Sequence, residues 1–270
     1  MKKLFSTIIC CLICSTAFMQ VKPEWQDETI PFVGKEYPRT AFMTYSDVNK
    51  ARSNDFNTST DYKSLNGKWK FNWVSSYKKR PVNFYKTNFD DSTWEEIDVP
   101  ANWEVNGYGN ALYTNHPYEF CPRNPQPPLL PEENPVGSYR KYIEIPEQWN
   151  GKEIFLHIGA VKSGCYLYVN GTKVGYSEDS KDAVEYNITR YLKLGRNLIA
   201  LEVYRWSTGS YLECQDFWRI SGIERDVYLF AQLPLHLRDF SIRQDLDSTY
   251  KNGLFELDLF MANANPRQPR

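Results

Sequence analysis

Reactive side chains are scarce in this sequence, with 3 histidines and 6 cysteines among 270 residues. Cys10, Cys11 and Cys14 crowd near the start, whereas Cys121, Cys165 and Cys214 lie far apart. Once the start is set aside as a leader, an odd and dispersed set remains. It allows at most one bridge and excludes a scaffold stapled by several. So few histidines, with no close Cys/His spacing, argue against a transition-metal site. The three later thiols read as small buried hydrophobes. Charge of one sign is missing too: 32 basic residues meet 33 acidic ones, for a net charge of -1. That balance argues against a nucleic-acid partner, which needs a basic face, and gives an anionic membrane nothing to attract. Past the leader no segment reads as a membrane span or a long amphipathic helix. A barrel wrapped in helices is thereby excluded for the strand-rich middle of the sequence.

Aromatic residues are plentiful, at 16% with 8 Trp and 19 Tyr. Such rings suit half-buried sheet faces and also stack on sugars, so most are structural and one or two are left for a ligand. The opening "MKKLFSTIICCLICSTAFMQ" joins a positive pair, Lys2 and Lys3, to an apolar run and the small residues Ser15 to Ala17. This is the pattern of an export signal cleaved after Ala17, and it predicts a periplasmic or extracellular protein. Cys10 and Ile13, which precede Cys11 and Cys14, are not the small residues that lipoprotein processing prefers, so a lipid anchor is disfavoured.

Four segments follow from the patterning: a signal peptide over 1–17, an arm over 18–60, a sandwich over 61–232 and the start of a further unit over 233–270. Pro23, Pro31 and Pro38 break the arm, which shows no sustained period and reads as a strap ordered by contact with something else. In "LNGKWKFNWV" a turn at Asn66-Gly67 is followed by Trp69, Phe71 and Trp73 on one face, a half-buried strand. "WEEIDVPANW" reads as a strand stopped by Pro100, and residues 102–135 as a long Pro- and Asn-rich loop of functional kind. "YRKYIEI", "EIFLHIG", "CYLYV", "TKVGY", "NLIALEVY" and "DVYLFA" are short strands, and Asn170-Gly171 marks a two-residue hairpin. "NITRYLKLGRN" reads as one or two helical turns stopped at Gly195. Short strands with regular turn signals predict an all-β, jelly-roll β-sandwich. After Pro234, "LRDFSIRQDL" and "GLFELDLFMAN" read as the first strands of an immunoglobulin-like β-sandwich. That fold needs about 100 residues, so the unit is expected to be incomplete within this sequence.

From about Trp25 to Ala231 the chain resembles the N-terminal region of glycoside hydrolase family 2 β-galactosidases. The resemblance rests on five ordered motifs: "SLNGKWKF", "VPANWEVNGYGNALYTNHPYEF", "ENPVGSYRKYIEIP", "FLHIGAVKSGCYLYVNGTKVGYSEDS" and "EYNITRYLKLGRNLIALEVYRWSTGSYLECQDFWRISGIERDVYLF". It implies a galactose-binding-domain-like jelly-roll, then an immunoglobulin-like domain, then a catalytic (β/α)8 barrel that this sequence does not include. The barrel carries the two carboxylates of retaining hydrolysis, so no catalytic residue is expected here and the chain alone is expected to be inactive. Glu132, Glu133 and Glu178 read as loop charges.

By local sequence alone, Asp179 in "GYSEDS" and Asn115 in "YTN" are turn residues of Asx type. The resemblance instead implies that both touch galactose and that Asp179 also ligates a sodium ion, with the barrel completing the site. A carboxylate accepts from sugar hydroxyls and holds a hard cation through oxygen, and a carboxamide both donates and accepts. Mg and Na are the ions implied for the intact enzyme, which the resemblance makes a homo-oligomer acting on galactosides. His116 reads as a surface residue. Arg205, Trp206, Asp216, Trp218 and Arg219 are expected at interdomain contacts, and Cys214 stands where an acidic residue is expected. Two other readings stay open: a stand-alone carbohydrate-binding module, and a non-catalytic assembly fragment.

Overall fold

The computed structural model describes residues 22–264. The expected leader, its cysteines and the last residues of the chain lie outside that range. Strands are numbered along the chain. The arm holds β1 (Phe32–Val33). Then come β2 (Tyr62–Ser64), β3 (Gly67–Val74), β4 (Glu95–Val99), β5 (Ala101–Asn102) and β6 (Leu112–Thr114). The middle of the chain forms β7 (Val136–Glu144), β8 (Glu153–Ile158), β9 (Val161–Lys162), β10 (Gly164–Val169), β11 (Thr172–Ser177) and β12 (Val184–Asn187). It continues through β13 (Arg196–Tyr204), β14 (Phe217–Arg219), β15 (Gly222–Ile223), β16 (Val227–Gln232), β17 (Leu235–Leu246) and β18 (Gly253–Asn263).

The expected all-β sandwich forms. A seven-stranded sheet in the order β1-β11-β10-β13-β7-β3-β4 faces a four-stranded sheet in the order β12-β8-β16-β2. One core runs between them. Trp69 and Phe71 of β3 and Leu201 of β13 meet Leu156 of β8, Tyr186 of β12 and Leu229 of β16. Trp69 and Phe71 are each 1% exposed, and burial of such a side chain contributes roughly 1.5–3 kcal/mol. Pro100 follows β4 directly, and Asn170 and Gly171, both at positive φ, link β10 to β11. The stretch expected to be helical is a single 3-10 turn, Thr189–Tyr191, with Gly195 at φ +76° beyond it.

The central strands are buried on both faces because the outer face of the larger sheet is covered as well. Residues 77–94 cover one part: Phe84 and Trp94 pack on Ala200, and buried Arg140 of β7 donates to Asp91 at 2.6 Å. The arm covers another part: Trp25 stacks on Tyr204 with ring centroids 4.7 Å apart. The arm is therefore ordered by contact, as its composition predicts. It also holds a short helix that periodicity did not reveal, α1 (Val48–Ser53), capped by Asp47. None of the α1 side chains is buried, so no apolar stripe marks it in the sequence. The thiols divide, which corrects the expectation of three buried cysteines: Cys165 is buried, whereas Cys121 and Cys214 are only partly covered. Beyond the sandwich, β17 and β18 form a two-stranded antiparallel ribbon.

Candidate functional site

At one end of the sandwich, four segments wall a cleft of about 750 Å³. Phe32 and Lys35 come from the arm, Pro127 and Pro128 from the long loop, Asp179 from the loop after β11, and Tyr211 from the excursion after β13. β1 holds the arm wall in place by pairing with β11, Phe32 opposite Ser177.

Asp179 is exposed on the cleft, between two buried neighbours, Glu178 and Ser180. Its Oδ1 accepts backbone N–H groups from Lys181 at 3.3 Å and Asp182 at 3.2 Å. Oδ2 has no hydrogen-bond partner among the described residues. Asp179 is thus an Asx-turn residue, as its local sequence predicts, that also presents an outward-facing acceptor.

Glu178 is not the solvated loop charge its sequence context suggests. It is 6% exposed, and it accepts from Thr208 Oγ1 at 2.8 Å, Tyr176 Oη at 3.1 Å and Gly209 N–H at 3.2 Å. A buried carboxylate needs such donors, and the excursion supplies two of the three. Glu132 and Glu133 are exposed as expected, and Glu132 pairs with Lys78.

Asn115 follows β6 and is exposed. It does not line the Asp179 cleft, so the chain alone does not bring the two predicted sugar contacts together in one cavity. They share one region through β14: Thr114 pairs with Phe217, and the Lys181 ammonium sits 5.0 Å from the centre of the Phe217 ring. His116 is a surface residue with Nδ1 2.6 Å from Pro117 O.

The excursion is bound to the long loop from inside. Arg205 pairs with Glu104 at 3.0 Å, Arg219 with Glu119 at 3.3 Å, and Trp206 Nε1 donates to Glu119 at 3.2 Å. These three residues, expected at interdomain contacts, make these contacts within this chain. Asp216 and Trp218 are exposed, Trp218 edge-on to Tyr113 at 5.6 Å. Burial raises the Glu104 carboxyl above its usual range, against the Ser221 N–H and Arg205 that lower it. Glu104, Glu119 and Glu213 were not singled out by sequence reasoning. Each sits far along the chain from its partner, so no local pattern marks it.

Comparison with known proteins decides the family. A family model described as "Glycosyl hydrolases family 2, sugar binding domain" matches residues 62–234. The chain belongs to this family. Among curated relatives, a β-galactosidase of Priestia megaterium is 40% identical over 234 residues, covering 86% of this chain and 23% of the relative. A β-galactosidase of Vibrio cholerae is 37% identical over 230 residues, covering 85% and 22%. This glycosyl hydrolase family 2 chain thus spans about a quarter of the length of these relatives. A β-glycosidase structure from Bacteroides vulgatus superposes with a TM-score of 0.57 at 22% identity, covering 77% of this chain and 25% of that one. A β-glucuronidase from Ruminococcus gnavus gives 0.56 at 18% identity, covering 74% and 33%. At that identity the likeness speaks for the fold alone. The family match begins at β2, so the arm that builds the Phe32–Lys35 wall lies outside it.

Proposed function

We propose that this chain is the sugar-binding portion of a β-galactosidase-type glycoside hydrolase that removes terminal non-reducing β-D-galactose. The observation that carries the reading is Asp179, held outward on a cleft by an anchored loop, in a chain whose curated relatives are β-galactosidases. Asp179 and Asn115 contact galactose hydroxyls in this reading. The acid/base and nucleophile carboxylates belong to further polypeptide of the kind the longer relatives have, so the chain alone binds without turnover. The β17–β18 ribbon begins an immunoglobulin-like unit. The opening residues direct export.

Sodium fits Asp179 in chemistry: an exposed carboxylate with one oxygen uncommitted suits a hard cation. Among the described residues no three His, Cys, Asp or Glu side chains converge on one point. Sodium would therefore take its other ligands from elsewhere in the intact enzyme, and magnesium is assigned no residue here. When bound, sodium would supply a fixed positive charge for sugar hydroxyls.

The test is titration of the chain, followed by NMR, with methyl β-galactoside, methyl β-glucoside and methyl β-glucuronide. The galactoside is expected to bind best, with Asp179→Ala removing binding and Asn115→Ala weakening it. Hydrolysis of an aryl β-galactoside by the chain would overturn the assignment of the catalytic pair elsewhere. A preference for the glucuronide, or binding that ignores Asp179→Ala, would overturn the galactose reading. Four segments of this chain wall the cleft, which favours a second reading as a carbohydrate-binding module. Micromolar affinity in the chain alone would support that reading, and millimolar affinity the first.

A further inference from the structure

We propose that Glu213 is the positioning residue of the site, holding Asp179 toward the cleft by gripping its neighbour Ser180. The inference rests on the functional reading of Asp179 given above. Glu213 lies just past the 3-10 turn Thr208–Tyr211. One of its oxygens accepts the Ser180 N–H at 2.8 Å and the other accepts the Ser180 hydroxyl in a short bond. Glu178, on the other side of Asp179, is held by Thr208 and Gly209 of the same excursion. Three consecutive residues therefore alternate inward, outward, inward, and both inward ones are fastened to residues 208–213. A loop pinned on each side of one residue leaves that residue a single direction, here the cleft.

The excursion lies close against the loop. A Cβ added at Gly209 would lie 2.9 Å from the Glu178 carbonyl oxygen, so a larger residue there would press on the loop. The charged groups around Glu213 come from several elements. Lys162 of β9 and Asp179 act on it directly, Lys181 shares one small cavity with it, and Glu119, Cys214 and Arg219 share another. Burial raises its carboxyl above the usual range, against the Ser180 donors and Lys162 that lower it. The Lys162 amine is lowered in turn by burial and by Lys181.

The role predicts which substitutions matter. Glu213→Gln keeps both contacts, because a carboxamide accepts from the Ser180 N–H and donates to a rotated hydroxyl. Glu213→Ala removes both, and Ser180→Ala removes only the hydroxyl contact. A loop that spends a tenth of its time in the competent form weakens apparent affinity about tenfold.

The experiment measures the dissociation constant for methyl β-galactoside together with hydrogen–deuterium exchange at Ser180 and Asp182. Glu213→Ala is expected to weaken binding about tenfold and to speed both amides, Ser180→Ala to weaken it by roughly threefold, and Glu213→Gln to stay within about twofold of the parent. Should Glu213→Ala fail to fold, Ser180→Ala and Glu213→Gln carry the same comparison. If Asp179→Ala abolishes binding while the Glu213 and Ser180 variants bind like the parent, the positioning role is overturned and the galactose reading survives. If Asp179→Ala binds like the parent, the galactose reading is overturned. Exchange then decides for Glu213 alone, since unchanged protection in Glu213→Ala overturns its hold on the loop.

Discussion

At the scale of single residues, Glu185 of β12 shows how far the fold bends side-chain chemistry. Arg39 of the arm donates to both its oxygens at 2.9 Å, Arg238 of β17 adds a contact at 3.2 Å, and His157 Nδ1 lies 3.0 Å away. Burial pushes the Glu185 carboxyl up, but the His157 hydrogen bond and Arg39 outweigh it and bring it down to about 2. A folded-state value below the unfolded 4.5 contributes stability that is present above about pH 4.5 and is lost as pH falls toward 2. The contribution is about 3 kcal/mol at neutral pH. Glu185→Gln is expected to lose it and to unfold with a shallower dependence on acid. An acid-unfolding curve indistinguishable from that of the parent would refute the assignment. Arg39 and Arg238 come from the arm and the ribbon, so this one carboxylate ties three parts of the molecule together.

At the scale of elements, the arm depends on a glycine. A Cβ at Gly175 of β11 would fall 2.3 Å from the Val33 carbonyl oxygen and 2.5 Å from Tyr186 Cε1. Backbone and a packed ring are both unable to yield, so Gly175→Ala is expected to destabilise the chain by about 1–3 kcal/mol. It should also open the arm to limited proteolysis within residues 22–60, because β1 can no longer pair. Gly253→Ala, where nothing lies within 4 Å, serves as the control and is expected to change stability by less than about 0.5 kcal/mol. If both variants melt together with the parent, close backbone approach is not what seats the arm. The cleft wall at Phe32 and Lys35 should loosen with Gly175→Ala, which makes galactoside affinity a second readout.

At the scale of the whole molecule, the ribbon carries an apolar face. Register puts Phe240 opposite Leu259, Ile242 opposite Leu257 and Gln244 opposite Phe255, and alternation sets these on one side. Arg243 pairs with Glu256 and Asp258 on the other. Ile242, Leu257 and Leu259 are about half exposed, at 49%, 47% and 57%. A two-stranded sheet with such a face, paired with no further strand among the described residues, is prone to pair with another copy. The chain is expected to self-associate with rising concentration in light scattering, and Leu257→Lys with Leu259→Lys to shift it toward monomer while leaving galactoside binding unchanged. A monomer at all concentrations would sink this expectation.

The strands themselves were legible because their information is local. Alternation in "KWKFNW", the stop at Pro100 and the turn at Asn170-Gly171 depend on residues within a few positions of one another. The family was legible for a different reason, since five ordered motifs carried the resemblance. The helix α1 was not, because it buries nothing, and only the cap at Asp47 could have signalled it. What tertiary structure alone decided is direction. Glu178 and Asp179 are adjacent acids in a polar loop, yet one is buried and the other exposed because Thr208, Gly209 and Glu213, which line the same cleft some thirty positions away, hold Glu178 and Ser180. Arg205 and Arg219 likewise turn inward because Glu104 and Glu119 of the long loop meet them there. A side chain takes its direction from the partners that repay its desolvation, and those partners are chosen by the fold, not by the neighbouring sequence.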